Sequence, residues 1–537
     1  MVPLAGPLAG HCRPSIDDPG ATRSAGYHRP TLIADAASQT TPPVLLDEDA
    51  IAAARDRLAA ELRARDAAPG DRVAVLSGTR PETVAARDAA VLCGLTVVPL
   101  YPQLAAPELA YILAHARPRA LLVESALFGL AAEAVAHMPR PHMPGPHTPD
   151  RPAIVAMPAL QGLPVGARPA ATRSGLQLEV GATLLYTSGT TGRPKGCVRT
   201  AGQEAARAAE LTRTYDLEPD DVHLVACPLA FSAPGILLRA ARRAGASTVL
   251  LPRFSPAGFL AAAAASRATL FFLVPTQYQR LLALPEEERR AADLSALRAA
   301  LVAGAPMPPA LRRAVVDWLG PGRLWEFYGS SETGTVTVLR PDEQLLHPES
   351  VGRPVSGVEL ELRRLPGADG PGPGEIFVRS PTVMAGYLNP LTGDLDWPGT
   401  GDGFLSVGDL GERDERDGED GPLRLVDRLH DTIISGGINV YPAEVERALH
   451  EHPEIAGAVV FGVADPDWHQ RVAALVVRAP GSTIGEAELR GFLRGQLAPH
   501  KVPRQIAFVP ADRLPRSPSG KPLRRAAAAL LASAEAE

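Results

Sequence analysis

The segment LLYTSGTTGRPKG, residues 184–196, joins a short apolar strand to a loop of glycines, hydroxyl residues and one lysine. Glycines allow backbone N–H groups to turn toward an anion, and the hydroxyls and the ammonium of Lys195 add further donors. The loop lacks the Gly-Lys-Ser/Thr ending of a Walker loop. The segment therefore predicts a phosphate-binding loop of another kind behind a buried strand; the alternative interpretation is a flexible surface turn.

Around this loop, short apolar strands alternate with helical segments. The stretch at 50–66 has a helical pattern, and RVAVLS (72–77) and LTVVPLY (95–101) have the length and composition of buried strands. Such alternation is typical of parallel sheets covered by helices. The sequence predicts an α/β fold: a large N-terminal domain with several helix-covered sheets, a β-rich subdomain after about residue 340 and a small α+β unit at the C-terminus.

Length and local composition predict further boundaries. A chain of 537 residues is too long for one compact core, so two or more domains are expected. Residues 1–30 are rich in glycine, proline and serine and are expected to form a disordered tail. Residues 138–175 are proline-rich and lack periodicity, which predicts a surface connection.

The overall composition excludes several classes of protein. A net charge of -6 and a pI near 6.1 argue against a general nucleic-acid binder. The four cysteines are scattered and form no CxxC pair, which favours a reducing compartment over a disulfide framework. The N-terminus lacks the basic region of a signal peptide, and no stretch is apolar enough for a transmembrane segment. A cytoplasmic enzyme is the expectation.

Lysine is rare in this sequence. The 54 basic side chains include only three lysines, Lys195, Lys501 and Lys521. A position that stays lysine in such a chain is a candidate for a role that needs a compact ammonium rather than a planar guanidinium. Codon bias with accidental survivors is the alternative interpretation, and no catalytic role is expected for Lys501.

Five ordered motifs resemble the adenylate-forming superfamily, which includes acyl-CoA synthetases, luciferases and the adenylation domains of peptide synthetases. They are the loop at 184–196, EFYGSSETG (326–334), GEIFVRSPTVMAGYLN with VGDLG (374–389 and 407–411), VDRLHDTIISGGINVYPAEVERAL (426–449) and PRSPSGKPLRR (515–525). The resemblance implies an AMP-binding domain at 31–428 and a small, mobile C-terminal domain at 429–537 that carries the catalytic lysine.

The resemblance also implies a nucleotide site. The residues that would bind the β- and γ-phosphates of ATP are Thr187, Ser188, Gly189, Thr190, Thr191, Gly192 and Lys195. The residues that would hold adenine and ribose are Gly304, Ala305, Pro306, Tyr328, Asp409 and Arg428. Ser331 would contact the α-phosphate, and Glu332 would bind Mg²⁺, a cation that prefers carboxylate and phosphate oxygens. Lys521 would meet the charge that develops between the carboxylate and the α-phosphate.

Three further sets of residues follow from the same resemblance. The substrate pocket would include Phe231, Gly329 and Ser330, the hinge would be His430, and the loop that admits a thiol would be Ser435, Gly436 and Gly437. Two positions depart from the usual pattern, because relatives often carry histidine at 231 and Asp or Lys at 430. A phenyl ring cannot hydrogen-bond or change charge, so Phe231 predicts either an altered substrate preference or an equivalent aromatic wall.

The expected reaction is ATP-dependent activation of a small-molecule carboxylic acid as its acyl-adenylate, followed by transfer to CoA. The segment from residue 229 through 287 most resembles fatty- or aryl-acyl-CoA synthetases. The alternatives are a stand-alone adenylation enzyme that loads a carrier protein, and an ATP-dependent diazotase that activates nitrite for an aryl amine. A non-enzymatic nucleotide sensor is disfavoured, because the acidic and basic motif residues are intact. The acid itself does not follow from the sequence.

Overall fold

The computed structural model of the protein describes residues 42–139, 151–165, 181–187, 194–305, 307–365, 372–413, 421–435, 438–465, 469–517 and 521–536. The predicted tail at 1–30 lies outside these ranges. Within them, none of the helices combines the length and the apolar character that crossing a bilayer requires.

The α-helices start at recognisable signals. Helix α5 begins with a capping box, in which the Thr200 hydroxyl accepts from Gln203 N at 3.2 Å and the Gln203 side chain accepts from Thr200 N at 2.9 Å. Several others begin with proline, whose missing N–H costs nothing there. The described helices are α1 (Glu48–Arg63), α2 (Pro81–Leu92), α3 (Ala106–Ala116), α4 (Phe128–His137), α5 (Ala201–Thr214), α6 (Ser232–Arg243), α7 (Pro256–Ser266), α8 (Pro275–Leu282), α9 (Glu286–Ala291), α10 (Pro309–Leu319), α11 (Pro442–His450), α12 (Glu486–Arg494) and α13 (Arg524–Ala536).

The strands are short, and most are apolar. The described strands are β1 (Val44–Leu45), β2 (Arg72–Leu76), β3 (Thr96–Leu100), β4 (Ala120–Val123), β5 (Ala153–Ala156), β6 (Leu163–Pro164), β7 (Thr183–Thr187), β8 (Lys195–Arg199), β9 (Val222–Val225), β10 (Ser247–Leu250), β11 (Leu270–Leu273), β12 (Ala299–Val302), β13 (Leu324–Ser330), β14 (Gly334–Leu339), β15 (Arg353–Pro354), β16 (Glu359–Arg363), β17 (Gly374–Arg379), β18 (Gly386–Leu388), β19 (Leu395–Asp396), β20 (Asp409–Arg413), β21 (Leu423–Arg428), β22 (Ile433–Ser435), β23 (Ile438–Val440), β24 (Ile455–Asp465), β25 (His469–Arg478) and β26 (Gln505–Phe508).

Two large sheets form the N-terminal part. One has the order β15-β14-β13-β12-β11-β9-β10-β1-β6, and the other has the order β19-β18-β8-β7-β3-β2-β4-β5. Their central strands are parallel, and strands such as β11 and β12 are buried along their whole length, as parallel strands covered on both faces should be. Helices α1 and α2 pack with residues of both sheets in one apolar core.

One prediction for this region was wrong in detail. The proline-rich segment 138–175, predicted as a surface connection, contributes two short strands. β5 pairs in parallel with β4, and β6 pairs with β1, so each extends the end of a large sheet. Proline is tolerated at such edges because one side of an edge strand needs no ladder hydrogen bonds.

The β-rich subdomain and the C-terminal α+β domain are both present, as predicted. The first is a four-stranded antiparallel sheet in the order β16-β17-β20-β21. In the second, β24 and β25 form a long hairpin in which side chains alternate between two cores. Val460 faces the core shared with α11 and α12, whereas Val459 faces the core shared with α13.

A buried carboxyl in the C-terminal domain predicts a pH-dependent stability. Glu446 Oε1 accepts from Val460 N at 2.9 Å, and Oε2 accepts from Arg524 at 3.1 Å. Burial raises the pKa of Glu446 to about 7, although the charge of Arg524 opposes the rise. The folded state thus holds this proton more tightly than the unfolded state. The stabilisation is complete below the ordinary pKa of 4.5 and is lost as pH rises through about 7.

We therefore expect Glu446→Gln to gain melting temperature relative to the unsubstituted protein as pH is raised from about 5 to about 8. Glutamine keeps an oxygen for Val460 N and removes the charge that burial disfavours. Scanning calorimetry of both proteins across this range measures the difference. A difference in melting temperature that stays constant with pH would contradict the expectation.

Candidate active site

The predicted phosphate loop is carried by the antiparallel hairpin of β7 and β8. Thr187 ends β7 and pairs directly with Lys195, which begins β8. These two residues therefore flank the base of the loop. The other predicted phosphate-binding residues, Ser188, Gly189, Thr190, Thr191 and Gly192, lie outside the described residues.

The carboxylate of Glu332 lies against this hairpin. The Thr187 hydroxyl and the Tyr387 hydroxyl both donate to its Oε1 at 3.0 Å, and Glu332 is only 8% exposed. Burial and the charge of Glu332 raise the pKa of Tyr387, so the phenol remains a donor. The ring of Tyr387 also lies 5.2 Å from Lys195 Nζ. A carboxylate and an ammonium thus lie near the same tyrosine at the base of the hairpin.

Arg199 is a structural residue of this site that the sequence analysis missed. It is fully buried at the end of β8, where its guanidinium donates to the carbonyl oxygens of Ser331 and Thr382. Burial lowers its pKa to about 10, which leaves it charged at neutral pH. Alternation along a strand places it on the same face as Lys195 and Cys197, and Cys197 Sγ lies 3.2 Å from the Ser331 carbonyl oxygen. The only sign of this role in the sequence was an arginine two residues after a cysteine in the short stretch KGCVR.

Tyr328, Asp409 and Arg428 form one hydrogen-bonded group. Asp409 begins β20, Arg428 ends β21, and the two residues are paired across the antiparallel ladder. Arg428 Nε donates to Asp409 Oδ1 at 3.0 Å, and the Tyr328 hydroxyl donates to Oδ2 at 2.7 Å. The charge of Asp409 is the largest cause of the raised pKa of Arg428, and burial together with Asp409 raises the pKa of Tyr328.

The residues predicted to enclose adenine lie just beyond the paired part of two neighbouring parallel strands. Val302 of β12 pairs in parallel with Glu326 of β13. Gly304 and Tyr328 each lie two residues beyond this pair, so they meet at the same edge of the sheet. Gly304 has a φ of +90°, a conformation that residues with a Cβ rarely adopt. Ala305 follows it, and Pro306 lies outside the described residues.

The C-terminal domain contributes Lys521 to this region. Its backbone closes a turn, in which Ser517 N donates to the Lys521 carbonyl oxygen at 2.8 Å and Lys521 N donates to Ser517 Oγ at 3.1 Å. Lys521 keeps contact with solvent, yet the surrounding protein desolvates its ammonium. That desolvation lowers its pKa, Arg428 lowers it further, and the carboxylates of Asp409 and Glu332 oppose both effects. The lysine therefore lies within electrostatic reach of the ribose and metal candidates together.

The predicted substrate-pocket residues have defined local roles. Phe231 precedes α6, and its ring packs against Tyr101 with a centroid distance of 5.0 Å. Ser330 Oγ accepts from the backbone N–H groups of Glu332 and Thr333 at 3.1 and 3.0 Å, so this hydroxyl shapes the turn that presents Glu332. Gly329 has no room for a side chain, because a Cβ there would lie 2.0 Å from the Gly334 carbonyl oxygen.

The predicted hinge lies between two sheets. A short 3-10 turn, Leu429–Asp431, follows β21 and leads to β22. His430 is in this turn, and its side chain lies outside what the structure describes. In the predicted thiol loop, Ser435 is 2% exposed and pairs with His469, while Gly436 and Gly437 lie outside the described residues.

The described ranges contain no group of three or more His, Cys, Asp or Glu side chains that could hold a metal ion without other ligands. Glu332, held by Thr187 at the base of the predicted phosphate loop, would therefore need substrate phosphates and waters as the other ligands of a metal ion. This donor set fits Mg²⁺, which is usually bound by one or two carboxylates together with substrate phosphates and waters.

Comparisons with known proteins agree with this arrangement. The feruloyl-CoA synthase of an Amycolatopsis species is 36% identical over 482 residues, which covers 87% of this chain and 90% of that protein. The amide bond synthetase McbA from Marinactinospora thermotolerans is 31% identical with a TM-score of 0.75, covering 89% of this chain and 94% of that one. The o-succinylbenzoate CoA synthetase MenE from Bacillus subtilis, in complex with the acyl-adenylate intermediate OSB-AMP, is 29% identical with a TM-score of 0.73, covering 88% and 91%.

Family models match both parts of the chain. The model described as AMP-binding enzyme matches residues 50–388, and the model described as AMP-binding enzyme C-terminal domain matches residues 444–521. The second match ends at Lys521. The chain therefore belongs to the AMP-binding enzyme family of adenylate-forming enzymes.

Proposed function

We propose that the protein is an AMP-forming acid–CoA ligase. The observation that carries this proposal is that Glu332 is held at the base of the β7–β8 hairpin by Thr187, while Lys521 of the C-terminal domain lies within electrostatic reach of both Glu332 and Asp409. An ammonium at this place neutralises the charge that develops when a carboxylate approaches a nucleotide phosphate. The names of the relatives support the same reaction, because feruloyl-CoA synthase and o-succinylbenzoate CoA synthetase both join an acid to CoA.

ATP binds with its adenine between Tyr328 and the turn at Gly304 and Ala305, and with its ribose at Asp409. Both oxygens of Asp409 already accept one hydrogen bond, yet an ionised carboxylate has about four acceptor sites, so ribose hydroxyls find free ones. The β- and γ-phosphates lie along the loop between Thr187 and Lys195, and Ser331 contacts the α-phosphate.

Glu332 would hold Mg²⁺ through its second oxygen. Its Oε1 is occupied by the hydroxyls of Thr187 and Tyr387, which supports Oε2 as the metal ligand. The ion supplies charge neutralisation at the phosphates. The two hydroxyls fix the rotamer of Glu332 and keep its carboxylate aimed toward the loop.

The reaction has two balanced steps. A carboxylate oxygen of the acid attacks the α-phosphorus of ATP, the bond to the bridging oxygen breaks, and pyrophosphate leaves. The sulfur of CoA then attacks the acyl carbon, the bond from that carbon to the AMP oxygen breaks, and the thiol proton is released. Lys521 serves the first step, in which negative charges converge. Exclusion of water protects the mixed anhydride until the thiol arrives.

The predicted boundary between the two domains lies between residues 428 and 429. The C-terminal domain takes a different position about this boundary for each of the two steps. His430 is the hinge, and the loop from Ser435 to Gly437 faces the thiol after the domain turns. We assign the protein to the cytoplasm. None of the described cysteines, Cys93, Cys197 and Cys227, forms a disulfide, which is consistent with a reducing compartment.

The acid is proposed to be aromatic. Feruloyl-CoA synthase and indoleacetate–CoA ligase, two relatives that match 87% of this chain, are both named for acids with an aromatic ring. Phe231 offers an apolar ring, packed on Tyr101, at the position where the family borders its acyl site. An aromatic acid gains from packing on such a wall, and loses nothing from the missing imidazole.

Phe231→Ala is expected to raise the preference for bulkier acids, because removing a packed phenyl ring enlarges the space beside it. The measurement is kcat/KM for a series of aromatic acids of increasing width. Tyr101→Phe serves as the control, since it keeps the ring contact with Phe231. A substrate profile and rates identical to those of the unsubstituted enzyme would place Phe231 away from the substrate.

One experiment tests the proposed function against amide synthesis. The enzyme is incubated with Mg-ATP and a panel of aromatic and aliphatic acids, with CoA, with an aryl amine or with neither, and the products are weighed by mass spectrometry. We expect acyl-CoA and AMP with aromatic acids. The amine arm is included because McbA is named an amide bond synthetase; amide as the main product would assign that function instead. The absence of any acid-dependent pyrophosphate release would reject ligase function.

A further inference from the structure

Arg524 lies three residues beyond Lys521, at the start of α13, and faces a group of carboxylates. Its guanidinium lies 3.1 Å from Glu446, 3.7 Å from Asp431 and 4.0 Å from Asp427. The Arg524 side chain is 13% exposed and that of Asp427 is 3% exposed. The arginine that follows the catalytic lysine on the chain is thus buried among acids.

Asp427 belongs to the other side of the proposed hinge. It lies in β21, one residue before Arg428 and ahead of the 3-10 turn at Leu429–Asp431. Its Oδ2 accepts from Ala443 N at 2.7 Å, in the first turn of α11. Asp427 therefore caps a helix of the C-terminal domain with a side chain of the N-terminal part. Burial raises the pKa of Asp427, and Arg524 opposes that rise.

These contacts fall into two classes. Asp431, Glu446 and Arg524 all follow the hinge, so their contacts travel with the C-terminal domain when it turns. The contacts of Asp427 with Ala443 and Arg524 cross the proposed hinge, so a rotation of the domain about that hinge would break them. In the position that the domain takes in this structure, Lys521 lies within electrostatic reach of Asp409 and Glu332.

We propose that Asp427 and Arg524 form a latch that holds the C-terminal domain in the adenylate-forming position. The proposal rests on the two-step function proposed above. Arg524 is a positioning residue: it does not touch the reacting atoms, and it affects the reaction by holding Lys521, three residues earlier in the chain, in place. The latch releases when pyrophosphate leaves and the domain turns, and the carboxylate of Asp431 and the hydrogen-bonded side chain of Glu446 stay with Arg524 in the second position.

The free energy of the position that the C-terminal domain takes after it turns depends on whether Arg524 keeps a partner there. A buried guanidinium left without a partner is strongly destabilising, so a latch that stranded Arg524 would lock the enzyme in its first step. With Asp431 and Glu446 travelling alongside, opening removes one ionic contact and one helix cap. A single cap of this kind contributes only modestly to stability. The latch is therefore strong enough to bias the domain and weak enough to open during turnover.

The test uses Asp427→Asn and Arg524→Gln in the full-length enzyme. Asparagine keeps an oxygen for Ala443 N while removing the charge that faces Arg524. We expect adenylate formation, measured by pyrophosphate exchange, to fall roughly 10–100-fold in each variant, the loss that a misplaced catalytic group causes. Thioester formation from supplied acyl-adenylate should stay within about twofold of the unsubstituted enzyme. Equal losses in both half-reactions would overturn the latch.

Arg525→Gln is the matched control. It removes the same charge one residue further along α13, from a side chain that is exposed. We expect both half-reactions to be unchanged in this variant. A loss in adenylate formation equal to that of Arg524→Gln would show a general charge effect and overturn the proposal.

A distance measurement separates failure of the latch from failure of the proposed reaction. Spin labels on cysteines introduced at the exposed positions Arg57 and Glu488 report the orientation of the C-terminal domain without any substrate acid. We expect Asp427→Asn and Arg524→Gln to depopulate the distance found in this structure, and Arg525→Gln to preserve it. An unchanged distance distribution in both latch variants would overturn the proposal, whatever reaction the enzyme catalyses.

Discussion

Lys521→Ala is expected to slow adenylate formation by about 10²–10³-fold, the usual cost of removing a preorganised donor to a developing charge. Thioester formation from supplied acyl-adenylate should be nearly unaffected, because that step starts after the phosphate charges have separated. The structure places this ammonium where Asp409 and Glu332 both influence its pKa. Pyrophosphate exchange measures the first half-reaction, and single-turnover formation of acyl-CoA measures the second.

Lys501→Ala is the matched control for this prediction. Lys501 is one of the other two lysines of the chain, and its Nζ donates to both carboxylate oxygens of Glu444 at 2.7 and 2.8 Å. Its loss should affect stability slightly and neither half-reaction strongly, because a partly exposed ion pair contributes about 1 kcal/mol or less. Equal losses in both half-reactions of Lys521→Ala would contradict the separation of roles.

Much of the site was predictable from the sequence because its residues lie in local motifs. Asp409 and Arg428 stand nineteen positions apart, yet each is at the end of a recognisable strand, and the antiparallel ladder makes them neighbours. Gly304 and Tyr328 are likewise placed by the register of two parallel strands. The alternation of apolar strands with helices predicted the fold class, whereas the resemblance to adenylate-forming enzymes implied that these side chains share one site.

The contacts that escaped prediction connect motifs to one another. Arg199 binds backbone carbonyls of two distant loops, and a backbone carbonyl leaves no mark in a sequence. Tyr387 lay within a quoted motif, but its hydrogen bond to Glu332 joins residues 55 positions apart. The latch was also not predicted, because in the sequence Asp427 belongs to the end of a strand and Arg524 to the start of a helix, and nothing local connects them. Pairings of this kind depend on tertiary packing rather than on local pattern.

Glu332→Gln is expected to reduce acid-dependent pyrophosphate exchange by roughly 100-fold or more, because charge stabilisation by a bound metal contributes several kcal/mol. Glutamine preserves the size of the side chain and an oxygen for the hydroxyls of Thr187 and Tyr387. It removes the negative charge that Mg²⁺ requires, so half-saturation should also need a higher Mg²⁺ concentration.

The control for Glu332→Gln is Tyr387→Phe, which removes one hydroxyl donor and leaves the carboxylate charged. Since the Thr187 hydroxyl still holds Oε1, we expect Tyr387→Phe to lose less activity and to keep its Mg²⁺ dependence. Titration of pyrophosphate exchange with Mg²⁺ in the three proteins separates the two effects. If Glu332→Gln exchanged pyrophosphate at the unsubstituted rate with an unchanged Mg²⁺ requirement, Glu332 would not be the metal ligand. The two hydroxyls that bind it would then serve only to fix the turn after β13.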